Sequence, residues 1–156
     1  MNAPTGWRPA DLSGHAGPVL LDTHVWVWYL EGDTSLMPPG LPPILERLGR
    51  AGELRVLDIS YWEVAMKSAK GKLVFSVEPT IWLQRAEKLG GVRFLPLDRE
   101  ILLLSTRLPG SAHNDPADRM LIAAARLNSL PLVTADRLIL DYAAANPGTP
   151  VVDARV

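Results

Sequence analysis

The chain has 156 residues, 47% of them hydrophobic, which suits one compact domain with a single core. Its formal net charge of −1 excludes a globally basic nucleic-acid-binding protein, so a polyanion would have to be held locally. The absence of cysteine excludes disulfides, thiolate zinc sites and cysteine nucleophiles, and three scattered histidines do not suit a histidine-rich metal cluster.

The first 17 residues contain Pro and Gly without hydrophobic periodicity, which predicts a flexible N-terminal lead over 1–17 in which Trp7 could dock on the body. This segment has no long apolar stretch, so we expect neither a signal peptide nor a membrane anchor. We therefore expect a cytoplasmic protein without a membrane partner, whose single domain covers 18–156.

Short apolar runs alternate with segments of helical spacing along the rest of the chain. The first run, Pro18 to Leu21, does not alternate with polar residues, which is typical of a strand buried on both faces. The predicted strands are 18–22, 55–59, 92–97, 131–134 and 150–152. Helices are predicted at 25–30, from 43, and at 60–70, 79–89, 98–107, 116–127 and 137–145. This alternation predicts an α/β fold: a three-layer α/β/α sandwich with a mainly parallel central sheet of four to five strands.

Asp22 lies where the first predicted strand ends, and helical spacing begins directly after it. Ligands of open parallel sheets bind outside the carboxyl ends of the strands, so an acid at this place can take part in chemistry. Asp is also a favoured N-cap residue, and Asp22 could simply cap the next helix. Asp22 alone does not decide between these roles.

Other acids occupy equivalent places along the chain. Glu63 follows the second strand, although Ser60 three residues earlier also forms the pattern of a capping box. Asp115 fits the N-cap of a helix with Pro at its first position, and Asp118 is the third residue of that helix. Asp136 follows the fourth strand.

Acids from four strand-to-helix crossings would converge on one edge of the sheet. Capping explains each acid singly but not why Glu63 and Asp136 share that edge with the others. Carboxylates packed together repel each other, and a divalent cation relieves the repulsion. Oxygen ligands without His or Cys suit Mg²⁺ or Mn²⁺ and not zinc. For His24 and His113 we favour structural roles over catalytic ones.

The residues around these acids resemble the PIN-domain family, specifically the VapC-type toxins of bacterial toxin–antitoxin pairs. The matching segments occur in family order: LDTHVW (21–26), SYWEVA (60–65) with KGKL (70–73), HNDPADR (113–119) and LVTAD (132–136). Together with their flanks they span about 18–141.

The resemblance implies a Mg²⁺-dependent endoribonuclease, with Mn²⁺ as a substitute, that cleaves RNA and is silenced by a cognate antitoxin protein. It implies Asp22 and Asp118 as principal metal ligands, with Glu63 and Asp136 completing the catalytic acids. Asp115 also falls in a motif, but its N-cap role accounts for it, so it ranks fifth.

Polar and basic neighbours of these acids have two interpretations each. Thr23 and Thr134 could hold a metal-bound water or cap a helix. Basic side chains near the acids could contact phosphates or form an ordinary solvated face, and we favour the solvated face for the lysines. The basic residues are Lys67, Lys70, Lys72, Arg119 and Arg137. Arg119 could also pair with an acid or accept an antitoxin group.

Two other functions compete with the nuclease. A phosphate-receiver or phosphatase-like domain would need a late-strand Lys, or two Asp separated by one residue at the first strand, and neither pattern appears. A PIN-like binding module without metal would use the acids only as caps. An apolar surface including Trp26, Trp28, Trp62 and 101–104 predicts a homodimer and an antitoxin surface.

Overall fold

A computed structural model describes residues 7–89, 91–112 and 114–155. Its centre is one sheet in which all pairings are parallel. The strands are β1 (Val19–Leu21), β2 (Leu54–Leu57), β3 (Val92–Leu95), β4 (Leu132–Thr134) and β5 (Val151–Asp153). Each follows its predicted run with ends moved by one or two residues, so the parallel sheet is confirmed.

Helices connect the strands and cover both faces of the sheet. They are α1 (Thr23–Glu31), α2 (Leu41–Arg50), α3 (Asp58–Ala69), α4 (Pro79–Lys88), α5 (Arg99–Ser105), α6 (Pro116–Asn128) and α7 (Arg137–Ala145). One buried apolar cluster packs α1 to α4 against the sheet, and a second packs α5 to α7 against it. This is the predicted three-layer α/β/α sandwich.

The strand order is β3-β2-β1-β4-β5. The chain therefore adds β2 and β3 on one side of β1, and then returns to add β4 and β5 on the other side. The boundary between β1 and β4 is the topological switch point, where the crevice of an open α/β sheet forms at the carboxyl ends of the strands. Asp22 and Asp136 follow those two strands.

The third helix begins earlier than predicted. Leu57 is extended (φ −73°, ψ 141°) and precedes the first residue of α3, Asp58. Ser60 is consequently inside the helix and fully buried, so the capping-box role for Ser60 and Glu63 is wrong. The same three-residue spacing that suggests a capping box also places two side chains on one face of a helix interior.

The N-terminal segment is packed against the domain over residues 7–17. The Trp7 amide donates to the Val151 carbonyl (2.9 Å), and the Asp153 amide donates to the Trp7 carbonyl (2.8 Å), so Trp7 extends the sheet beside β5. Leu12 lies in a short 3-10 helix (Pro9–Leu12) and is fully buried. Trp7 and Leu12 thus hold residues 7–17 against the domain, although the composition of this segment alone predicts a flexible lead.

Trp26 is fully buried, so its predicted place in an exposed apolar surface is wrong. Its ring meets those of Trp82 and Phe94 edge to face, with centroids 5.3 Å and 5.8 Å away. Trp62 is exposed as predicted, at 56%. His113 and residues 1–6 lie outside the described part of the chain. No helix within 7–89, 91–112 and 114–155 has the length and apolar character to span a membrane.

Candidate active site

Asp22 is the most deeply buried acid at the switch point, with 2% of its surface exposed. Its amide donates to the Val133 carbonyl (3.0 Å), which continues the β1–β4 ladder by one residue. Oδ1 accepts the Thr23 amide (2.7 Å) as the N-cap of α1, and Oδ2 accepts the Thr134 hydroxyl (2.6 Å). Both carboxylate oxygens are therefore held in place.

Thr134 joins the ends of β1 and β4. Its side chain is fully buried, and its hydroxyl donates to Asp22 while accepting the Asp136 amide at 3.0 Å. The hydroxyl proton is committed to a carboxylate, so Thr134 orients Asp22 and is not available as a donor to water.

Glu63 is a second buried acid, contributed by α3, and is 6% exposed. Its Oε1 accepts the Thr23 hydroxyl at 2.7 Å, and Thr23 Oγ1 also lies 2.8 Å from Ser60 Oγ. A carboxylate oxygen accepts hydrogen bonds, so the Thr23 hydroxyl donates its one proton to Glu63. The Ser60 hydroxyl then donates to Thr23 Oγ1. A buried chain of hydroxyls thus couples Glu63 to the start of α1.

Asp118, the third residue of α6, shows that the acids share one electrostatic environment. Burial, and to a lesser extent the negative charges of four other acids, together raise its pKa to about 8. These acids are Asp22, Asp115, Asp136 and Glu63. Every acid named from the sequence is therefore close enough to disfavour a charge on Asp118.

Two more of these acids are helix caps, as Asp22 is. Asp115 Oδ1 accepts the Asp118 amide (3.0 Å), and Asp136 Oδ1 accepts the Ile139 amide (3.0 Å). The predicted N-cap at Asp115 is confirmed. Each of these two carboxylates therefore accepts a backbone amide at the start of a helix through one oxygen.

A family model described as PIN domain matches residues 19–145. The chain belongs to the PIN domain family. It is 30% identical over 132 residues to Ribonuclease VapC22 of Mycobacterium tuberculosis, a match that covers 84% of this chain and 96% of the relative.

Solved structures share the fold at low identity. The DNA-bound VapBC of Salmonella typhimurium matches with a TM-score of 0.64 at 16% identity, covering 88% of this chain and 98% of the other. VapBC2 of Rickettsia felis, bound to a promoter DNA fragment, matches with a TM-score of 0.61 at 14% identity, covering 87% and 98%. These likenesses support the predicted PIN-like sandwich.

His24 lies at the rim of the acidic site of this PIN domain. Asp22 raises the pKa of His24, first as a hydrogen-bond acceptor and then through its charge, while burial lowers that pKa. The separation of 3.9 Å between His24 Nδ1 and Asp22 Oδ2 is nevertheless that of an ion pair and too long for a good hydrogen bond. Its side chain is 51% exposed, consistent with a rim residue.

The donor chemistry of this PIN domain suits a hard divalent cation, because the five acids offer oxygen atoms only. The raised pKa of Asp118 reports repulsion that such a cation would relieve. Within the described residues, no three His, Cys, Asp or Glu side chains already stand in a metal-binding arrangement. The acids therefore lie near one another, but their oxygen atoms do not yet surround a single metal position.

The basic residues flanking the site differ in their surroundings. Lys67 Nζ lies 3.5 Å from Glu63 Oε2, whereas Lys70, Lys72 and Arg137 are exposed. Arg119 donates through Nε to the Ser105 carbonyl (2.7 Å) and through Nη1 to the Ala112 carbonyl (3.3 Å), which ties α6 to the α5 region. Sequence reasoning missed the Thr23–Ser60 and Thr134–Asp22 contacts, since no local pattern reports a pairing between distant segments.

Proposed function

We propose that this PIN domain is a metal-dependent endoribonuclease, the toxin of a toxin–antitoxin pair, which hydrolyses RNA phosphodiester bonds with Mg²⁺ or, in its place, Mn²⁺. The observation that carries the proposal is the grouping of five acids at the switch point, where burial and the charges of the other four acids raise the pKa of Asp118 to about 8. The relative called Ribonuclease VapC22 supports the same reaction class.

Asp22 and Asp118 are the principal ligands in this proposal, with Glu63 and Asp136 completing the catalytic acids and Asp115 at the periphery. A bound Mg²⁺ would supply a water of lowered pKa and would stabilise negative charge on the phosphate. The protein itself fixes the carboxylates that would bind the metal. The Thr134 hydroxyl and the Thr23 amide donate to Asp22, and the Thr23 hydroxyl donates to Glu63. Such support restricts each carboxylate to one orientation.

The competing functions fit the molecule less well. An idle binding module has no reason to bury Asp22 and Glu63 beside Asp118, because burial of grouped carboxylates costs stability that caps at the surface do not. A phospho-receiver would need a Lys at the end of a late strand, where this chain has Thr134-Ala135-Asp136.

Its partners would be RNA as the substrate and an antitoxin protein as the inhibitor. The solved structures that share its fold include toxin–antitoxin complexes, which supports an antitoxin partner. A homodimer and a cytoplasmic location remain predictions. Exposed apolar side chains at Trp62 (56%) and Leu103 (56%) suit protein contacts, and light scattering at high concentration tests the dimer.

The nuclease proposal is tested with purified protein and a mixture of labelled RNA oligonucleotides, with Mg²⁺ or with a chelator. We expect cleavage only with the metal, and a loss of roughly a hundredfold or more in Asp22→Asn, beyond the effect typical of a supporting residue. Asp141→Asn, on the exposed surface of α7, is the matched control and should cleave normally.

Two results would contradict the proposal. Full Mg²⁺-dependent cleavage by Asp22→Asn, with circular dichroism unchanged, would remove Asp22 from the site. No cleavage together with no Mn²⁺ binding at millimolar concentration in titration calorimetry would favour the binding module.

A further inference from the structure

The negative charge of the acidic site opposes the binding of an RNA phosphate. Five acids lie together at the site, and one divalent cation offsets only part of the negative charge that they bring. An RNA phosphate adds another negative charge. If the proposed function holds, a cation of the protein must stand beside the acids where the phosphate enters.

Lys67 has the required position. It follows Glu63 by one turn of α3, and its Nζ lies 3.5 Å from Glu63 Oε2. That separation exceeds the 2.7–2.9 Å of a strong ammonium–carboxylate hydrogen bond. The contact is therefore a loose ion pair, and the ammonium keeps donors for a second partner. Its side chain is 28% exposed, so Lys67 is partly covered but still accessible to solvent beside a buried acid.

The backbone holds Lys67 firmly at this place. Its carbonyl accepts the amides of Lys72 (2.9 Å) and Leu73 (3.3 Å), which close the C-terminal end of α3. Lys67 is thus in the last turn of a helix whose start is tied to α1 through Ser60 and Glu63. A side chain that starts from a fixed backbone loses less freedom on binding a ligand.

We propose that Lys67 binds the RNA phosphate at the acidic site, its ammonium donating to a non-bridging phosphate oxygen. Glu63 keeps Lys67 beside the acids before substrate arrives, because Oε1 is held by Thr23 and Oε2 faces the ammonium. When Oε2 takes another partner, the Lys67 charge becomes available to the phosphate. This assigns Lys67 a substrate-binding role that its exposed neighbour Lys70 does not have.

The alternative is that Lys67 only neutralises Glu63. A purely structural pair would change the melting temperature when broken, but it would not change how RNA binding depends on salt. Each phosphate contact to single-stranded RNA contributes about 0.7 to the slope of log K against log salt concentration. The salt slope therefore separates the two roles.

The test uses Lys67→Gln, Lys67→Arg and, as a matched control, Lys70→Gln. Each is combined with Asp22→Asn so that labelled single-stranded RNA is bound without being cut, and affinity is measured by anisotropy at several salt concentrations. We expect Lys67→Gln to weaken binding by about tenfold, the effect of losing one charged hydrogen bond, and to lower the slope by about 0.7. Lys67→Arg should keep the slope, and Lys70→Gln should match the parent.

An unchanged slope in Lys67→Gln, or an equal loss in Lys70→Gln, would overturn the assignment. The same single substitutions in the otherwise native chain give a second readout, in which Lys67→Gln should raise KM more than it lowers kcat. A native chain that cleaves no RNA with Mg²⁺ contradicts the nuclease itself. A native chain that cleaves while Lys67→Gln has the native KM and salt slope contradicts only the role of Lys67.

Discussion

Asp22 carries two roles in one side chain. Oδ1 caps α1, Oδ2 is held by Thr134, and further lone pairs on both oxygens can face a cation. Asp22 can therefore cap α1 and bind a metal at the same time. For this reason the sequence around Asp22 does not show which role it has. Asp115 and Asp136 are also helix caps, whereas Glu63 lies inside α3.

Asp118 makes the stability of the metal-free protein depend on pH. Its pKa is about 8 in the folded chain against an ordinary value of 3.8, so between these values the folded state binds more protons than the unfolded state. The free energy of unfolding must then fall as pH rises from about 4 to 8. Urea denaturation in chelator at several pH values measures this slope.

Asp118→Asn removes the titrating group and should flatten that profile, so that the variant is more stable than the native chain near pH 8 without metal. Asp141→Asn should leave the profile unchanged, because Asp141 is exposed. Added Mn²⁺ should recover the stability of the native chain at pH 8 and release protons. A native profile parallel to that of Asp118→Asn would contradict the crowding of the acids.

At the scale of elements, local patterns were sufficient for most strands and helices. β1 and β4 are short, fully buried runs, and Gly32, with φ 69°, directly follows the last residue of α1. The exception is the start of α3, where the spacing of Ser60 and Glu63 fits both a cap and a helix interior. The order of the strands carries no local signal, because buried parallel strands look alike in composition. The crowding of the acids at the β1–β4 boundary was inferred from their type and position, but its geometry needed the fold.

Gly91 shows how closely α2 approaches the start of β3. A Cβ built at Gly91 would lie 1.9 Å from the Gly49 carbonyl oxygen, and its φ is 91°. Gly91→Ala should therefore lower the free energy of unfolding by about 2–4 kcal/mol, the sum of a left-handed backbone and a steric overlap. Gly32→Ala is the control, because φ is 69° but no atom lies within 4 Å of its Cβ. Gly32→Ala should lower the free energy of unfolding by about 1–2 kcal/mol. If urea denaturation shows the same loss for both variants, the close approach of Gly91 to Gly49 does not contribute to the effect.

At the scale of the whole molecule, the N-terminal segment is held by one arginine of α2. Arg47 donates to the carbonyl oxygens of His15 (3.0 Å), Leu12 (2.9 Å) and Ser13 (3.3 Å). Arg47→Gln should lower the free energy of unfolding by about 1–3 kcal/mol, since the partly buried carbonyls of Leu12 and His15 lose a charged donor. Hydrogen exchange should speed up at the Trp7 amide, which pairs with Val151.

Arg50→Gln is the matched control one turn further along α2, where the side chain is exposed. It should leave both the stability and the exchange of the Trp7 amide unchanged. Native protection of that amide in Arg47→Gln would mean that the Trp7 and Leu12 anchors hold the segment without the arginine.

The hydrogen bond from Thr134 to Asp22 joins two residues that lie 112 positions apart in the chain. During synthesis the ribosome makes β1 long before β4, so a nascent chain has Asp22 and Glu63 but neither Thr134 nor Asp136. The proposed nuclease therefore cannot assemble its centre before the chain has been translated through Asp136. RNA cleavage by this centre can begin only after that point of synthesis.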